Sequence, residues 1–129
     1  MGQQRRIIEE FGLHAGRVWQ ALQEHGPLTE EELVEVTCLR KQELHAAVGW
    51  LARENKIFVD GCVYRLDSTN LTTPIGDHAG LVWKLLHTWD EVNVSHISEY
   101  LDIDESETFS ALGWLAREGK INISLKKRD

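Results

Sequence analysis

Ala15, Val18, Trp19 and Leu22 recur three or four residues apart, the spacing of one helix face, and the pattern stops at Gly26-Pro27. This predicts a first helix ending there, with Trp19 on its buried stripe. Thr29-Glu30-Glu31-Glu32 follows, in which Thr29 caps the amide three residues on and Glu32 reaches back. Leu33 and Val36 then form the apolar side of a short second helix. After a turn at Thr37-Cys38-Leu39, a third helix is predicted from about Arg40 to Glu54, with Leu44, Val48 and Leu51 buried and Asn55 in a left-handed cap. Ile57-Phe58-Val59 and Cys62-Val63-Tyr64-Arg65-Leu66 read as two strands around an Asp60-Gly61 turn.

The pattern then starts again. Residues 14–57 lie over residues 78–121 without a gap, and about 17 of these 44 positions are identical, a level that indicates duplication. His14-Ala15-Gly16 falls on His78-Ala79-Gly80, Val18-Trp19 on Val82-Trp83, and Gly49-Trp50-Leu51-Ala52-Arg53-Glu54 on Gly113-Trp114-Leu115-Ala116-Arg117-Glu118. The second third helix opens at Asp104, with Glu107 completing another capping box, and Gly119 takes the place of Asn55. Ile121-Asn122-Ile123-Ser124-Leu125 makes one further strand, so the second hairpin is expected to be truncated. The polar stretch from Asp67 to Pro74 is expected to be the linker. Three helices and a hairpin is the order of a winged helix-turn-helix. The expected architecture is mainly α with small β wings, two such domains in tandem, at residues 1–68 and 69–129.

The segment from Phe11 to Trp19, its counterpart from Ile75 to Trp83, and the two Gly-Trp-Leu-Ala-Arg-Glu runs followed by Lys-Ile resemble a family of small prokaryotic winged-helix proteins of unknown function. The resemblance implies the fold and no particular activity. Beside relatives that carry the unit once, a tandem version resembles a covalently fused dimer.

Charge narrows the function classes. The chain has 14 Lys and Arg against 21 Asp and Glu, a formal charge of -7, the wrong sign for a surface meant to attract phosphates everywhere. Residues 1–70 carry 8 basic and 11 acidic residues and residues 71–129 carry 6 and 10, so neither half is a basic domain. The apolar stretches are too short to span a bilayer, and Arg5-Arg6 is not followed by a signal-peptide core, so a cytoplasmic protein is expected. Cys38 and Cys62 form no disulfide framework, and the six histidines show no metal-ligand spacing. No phosphate loop, nucleophile elbow or base-nucleophile pair is present, so no cofactor and no catalytic role is expected.

Two sets of candidate residues remain. A winged helix usually reads DNA with the start of helix 3 and touches the backbone with its wing. In the first copy that start holds Arg40, Lys41, Gln42 and His45, expected to be exposed, and the wing holds Arg65. Lys126-Lys127-Arg128 adds a basic tail suited to phosphates. The second copy has Asp104-Glu105-Ser106-Glu107 at the same place, which opposes DNA binding there. These features point to DNA or RNA association, or transcription regulation, through the first copy, or alternatively to an acidic protein-interaction module that docks on a larger assembly such as a ribonucleoprotein or transcription machine. Trp50 and Trp114 fall about 120° from the buried stripe of their helices. With Gly49 and Gly113 beside them, they either pack under their own wing or helix 1, or line a contact between the copies or with a partner. Trp19 and Trp83 are expected in the core, and Trp89 exposed at the end of its helix. A monomer or weak homodimer is expected.

Overall fold

The computed structural model describes residues 2–89 and 92–121, with side chains from Glu10 onward. Helix α1 (Gly2–His25) leads through a short strand β1 (Leu28–Thr29) to α2 (Glu30–Thr37), α3 (Lys41–Arg53) and the strands β2 (Ile57–Asp60) and β3 (Val63–Leu66). Helices α4 (Thr72–Thr88), α5 (Val94–Leu101) and α6 (Glu105–Arg117) repeat the helical part.

Local chemistry places most of the boundaries. Thr29 accepts from the Glu32 amide and the Glu32 carboxylate accepts from the Thr29 amide, so the first capping box forms. Asp104 and Glu107 do the same for α6. Asn55 and Gly119 both stand in the left-handed region just past helix 3, at φ 64 and 71. Trp89 caps the end of α4 and meets Tyr100 edge-on, with ring centroids 4.9 Å apart.

The structure differs from expectation at five places in the fold. Val36, expected beside Leu33 on the apolar side of α2, is 42% exposed, and Val34 packs against the core in its stead. Strand β1 pairs antiparallel with β3, giving a three-stranded sheet in the order β1-β3-β2. The hairpin register sets Asp60 opposite Val63, so the turn is Gly61-Cys62, one residue later than expected. Only the first turn residue needs positive φ, and Gly61 supplies it at 64°, the requirement of a type II′ turn. The stretch after β3 is shorter and more firmly held than a polar linker implies. Helix α4 already starts at Thr72, and Pro74 sits in its first turn, where a missing N–H costs nothing. Asn70 acts as a stand-in strand: its Oδ1 accepts from the Val59 amide at 3.0 Å and its Nδ2 donates to the Val59 carbonyl at 2.7 Å, closing the edge of β2. Finally, Trp19 and Trp83 lie at the rim of the core, 38% and 37% exposed, because Ala15, Val18 and Leu22, and Ala79, Val82 and Leu85, fill the buried stripes. The expected strand after Ile121 extends beyond the described residues.

Each three-helix unit buries its own cluster. The first centres on Val18, Leu33, Leu44, Leu51 and Ile57 and the second on Val82, Ile97, Ala111 and Leu115. In the second, the buried hydroxyls of Ser98 and Thr108 satisfy each other at 2.8 Å. Trp50 and Trp114 pack against both clusters and join them.

Candidate functional site

The residues of the Gly-Trp-Leu-Ala-Arg-Glu repeat meet at one place, where α3 crosses α6. This contact is more extensive than any between helices of the same unit. At its centre, a Cβ on Gly49 would overlap the Ser110 carbonyl oxygen and lie 2.7 Å from the Ser110 carbonyl carbon. A Cβ on Gly113 would overlap the Ala46 carbonyl oxygen and lie 2.7 Å from its carbon. Only glycine permits the two backbones to come this close. The two contacts are related by the repeat offset, so the crossing has the self-complementary form of a two-fold dimer.

The same symmetry governs the rim. Arg53 Nε donates to Glu118 at 2.8 Å, and Arg117 Nε donates to Glu54 at 2.8 Å. Each guanidinium carbon also stands 5.8 Å from the centre of the other unit's tryptophan ring, Arg53 over Trp114 and Arg117 over Trp50. Each tryptophan in turn packs on helix 1 of its own unit. Trp50 Cζ2 would be 3.1 Å from a Cβ at Gly12, and Trp114 Cζ2 3.3 Å from one at Gly76. The two accounts of these tryptophans therefore hold together, since each ring is wedged between its own helix 1 and the neighbouring unit.

The part of the helix-3 face beyond its first turn is thus occupied by the other unit. Ala46, Gly49 and Ala52 are buried, and beyond the first turn Arg53 is paired across the crossing. What remains open is the start of α3. Arg40 and Lys41 are 78% and 69% exposed, and Gln42 is exposed beside them. Arg40 lies 3.5 Å from Glu43 and Lys41 3.7 Å from Glu30, so carboxylates already sit beside both charges. Burial pushes the Glu43 carboxyl up, but the Arg40 amide and the charges of His14 and Arg40 hold it below its ordinary value.

His45 departs from the expected exposure, because its side chain is only 14% exposed and its Nε2 lies 3.5 Å from Glu30. Burial lowers its proton affinity, while Glu30 and Asp104 pull the other way. Asp104, the cap of α6, is therefore near enough to His45 on α3 for its charge to be felt there. The opening of α6 carries the exposed carboxylates of Asp104, Glu105 and Glu107, where α3 has its basic residues. On the wing, Arg65 covers the Phe58 ring at 4.1 Å and stands 3.8 Å from Asp60 and 3.6 Å from Asp67. Lys126, Lys127 and Arg128 lie outside the described residues.

Arg53, Glu54, Arg117 and Glu118 were not singled out from the sequence, although their recurrence in both copies was the available signal. A second feature missed is a groove of about 180 Å³ beside the crossing, lined by Gly76, Gly80, Trp83, Trp114 and Lys120 among others. Gly80 and its counterpart Gly16 have nothing within 4 Å of where a Cβ would stand, so alanine would fit. Glycine there costs each helix roughly 0.5–1 kcal/mol with no steric reason in the chain itself. Among the described residues no cluster of His, Cys, Asp and Glu is arranged to hold a metal ion, and no helix is long and apolar enough to cross a membrane.

A family model described as a winged helix-turn-helix domain (DUF2582) matches the chain twice, over residues 4–71 and 66–129. No curated protein and no solved structure matches. Winged helix-turn-helix domains are typically binding domains without catalysis, and commonly bind nucleic acid. The repeated helix pattern, the sheet on the first unit and the double match agree, and the chain belongs to this winged helix-turn-helix family, with two copies of the domain in tandem.

Proposed function

We propose that this protein is a non-enzymatic binding module that docks on other proteins as a fused dimer, and does not read DNA through its recognition helices. The observation that carries this reading is the α3–α6 crossing, which buries the middle of the two third-helix faces on each other and leaves only their first turns open to a groove. Electrostatics supports it. The chain carries -7 overall, the cations at the start of α3 are already flanked by carboxylates, and the start of α6 exposes Asp104, Glu105 and Glu107. Such a surface repels a phosphate backbone and favours a basic protein surface. Because the self-complementary surface is used within one chain, the protein is expected as a monomer or a weak homodimer.

A second reading is nucleic-acid association through the first turn of α3 and the wing. It is favoured by the exposure of Arg40, Lys41 and Gln42, and it would also recruit Arg65, Lys126, Lys127 and Arg128 as phosphate contacts. His45, largely enclosed, would contribute to it least.

Titrating the intact protein with duplex DNA and with structured RNA, at low salt and near 150 mM, separates the two. The proposal predicts no binding at the higher salt. Binding that survives there and is lost in the Arg40→Glu, Lys41→Glu double variant would establish the nucleic-acid reading instead.

A further inference from the structure

Two aromatic rings stand together on the outside of the second unit. Trp89 follows α4 and Tyr100 lies in the last turn of α5, with ring centroids 4.9 Å apart and ring planes at 66°. They are 39% and 64% exposed, and neither joins the second core cluster. The fold does not require them. Their counterparts in the first unit are His25 and Val36, both exposed, and that unit forms the corresponding helices without a ring at either place.

What this pair lacks is a cation. Four other rings are covered by cations of the chain itself: Arg53 stands over Trp114, Arg117 over Trp50 and Lys120 over Trp83, each at 5.8 Å, and Arg65 over Phe58 at 4.1 Å. Among the described residues no Lys or Arg stands over Trp89 or Tyr100. The stretch from Trp89 to Asp102 holds four carboxylates, Asp90, Glu91, Glu99 and Asp102, and no Lys or Arg. Glu99 and Asp102 are exposed, and among the described residues neither is in an ion pair. Asp90 and Glu91 lie outside the described residues. The electron-rich face of an open ring attracts a cation, and carboxylates close to it in the chain deepen the negative potential there.

We propose that the Trp89–Tyr100 pair is the docking point for an arginine side chain of a basic partner protein, with Glu99 and Asp102 supplying the opposite charge beside it. This inference rests on the protein-binding reading above and names the partner chemistry. Arginine suits the place better than lysine, because a planar guanidinium lies flat on a ring and still offers its N–H groups to carboxylates. Three of the four rings that the chain covers itself are covered by arginine. The same carboxylates oppose nucleic acid, whose bases stack on aromatic rings where a positive groove carries the phosphates. The first unit has Val36 in place of Tyr100, so one arginine site per chain is expected.

The test titrates the intact protein with an acetylated, amidated tetra-arginine peptide at low and physiological salt and follows the Trp89 indole N–H and the Tyr100 ring resonances. Tetra-citrulline, of the same shape without the charge, and tetra-lysine are the comparisons. Expected are salt-sensitive shifts of both rings with the arginine peptide, none with citrulline, and weaker binding with lysine. Tyr100→Val, which installs the first unit's residue, should lower the melting temperature only slightly and weaken the arginine peptide about fivefold. Asp102→Asn, which suits the left-handed backbone at that position, should weaken it about twofold. An arginine peptide that binds without moving either ring, or binds Tyr100→Val as tightly as the parent, would overturn the site and leave the protein-binding reading standing. No arginine-peptide binding even at low salt would overturn both. Lysine binding as tight as arginine would refute the choice of guanidinium. Three results would name another occupant and overturn the proposal. They are ring shifts in the free Lys126→Ser, Lys127→Ser, Arg128→Ser variant, which would mean the chain's own residues, ring shifts with oligo-uridine, and self-association that Tyr100→Val abolishes.

Discussion

Gly49→Ala is the substitution on which the packing argument stakes most. In an ordinary exposed helix the change stabilises by roughly 1 kcal/mol, because alanine loses less backbone entropy on folding. At Gly49 the new methyl would overlap the Ser110 carbonyl oxygen and lie 2.7 Å from its carbon, where a relaxed carbon pair needs about 3.5–4.0 Å. The obstacle is backbone on a rigid helix, so α3 and α6 must part by about 1.5 Å at their centre to bring the methyl to ordinary contact with the oxygen. Overpacking of this kind costs about 1–3 kcal/mol or more, and here it also strains the arginine-carboxylate pairs and the two tryptophans. The net expectation is a loss of about 2 kcal/mol, opposite in sign to the propensity gain. Urea unfolding followed by tryptophan fluorescence and far-ultraviolet circular dichroism measures it. Gly113→Ala should behave alike, and the double variant should cost less than the two singles together, since the first methyl has already opened the crossing. A Gly49→Ala variant with an unchanged or raised urea midpoint would refute the close approach.

Gly16→Ala and Gly80→Ala, on the same kind of helix but with open space at Cβ, should instead each stabilise by about 0.5–1 kcal/mol in the same assay. The pH dependence follows from His45. Its proton affinity is lowered in the folded state, so the unfolded chain takes up the proton first, and stability should fall as pH drops through the ordinary value of 6.5. His45→Asn should flatten the urea-midpoint profile between about pH 7 and pH 5.5. Asn70→Ala should leave the helices intact while speeding hydrogen exchange at the Val59 amide, the bond it satisfies on the outer edge of β2. A double-mutant cycle on Arg53 and Glu118 should give no more than about 1 kcal/mol, because the arginine is 45% exposed and the pair is screened.

Features set by neighbouring residues were legible in the sequence. Both capping boxes, the caps at Asn55 and Gly119 and the end of α1 at Gly26 depend on chemistry a few residues away, and they formed where the pattern put them. Features set across the chain were not. Strand β1 is two residues long and exists because Tyr64 and Val63 pair with it. The turn of the wing moved by one residue because register is a property of both strands. Trp19 shared the apolar spacing of its helix, but smaller neighbours filled the stripe and left the indole at the edge. The Gly-Trp-Leu-Ala-Arg-Glu repeat marked the residues of the crossing, while the partner backbone at Ser110 and Ala46 carries no local signal at all.

The crossing itself is open to direct observation in solution. Nuclear Overhauser contacts between the Gly49 α protons and the Trp114 amide, whose nitrogen would lie 3.0 Å from a Gly49 Cβ, should be strong and matched by contacts between Gly113 and Ala46. Both units should tumble as one body. Absent contacts, with the two halves relaxing independently, would free the recognition helices and contradict the account.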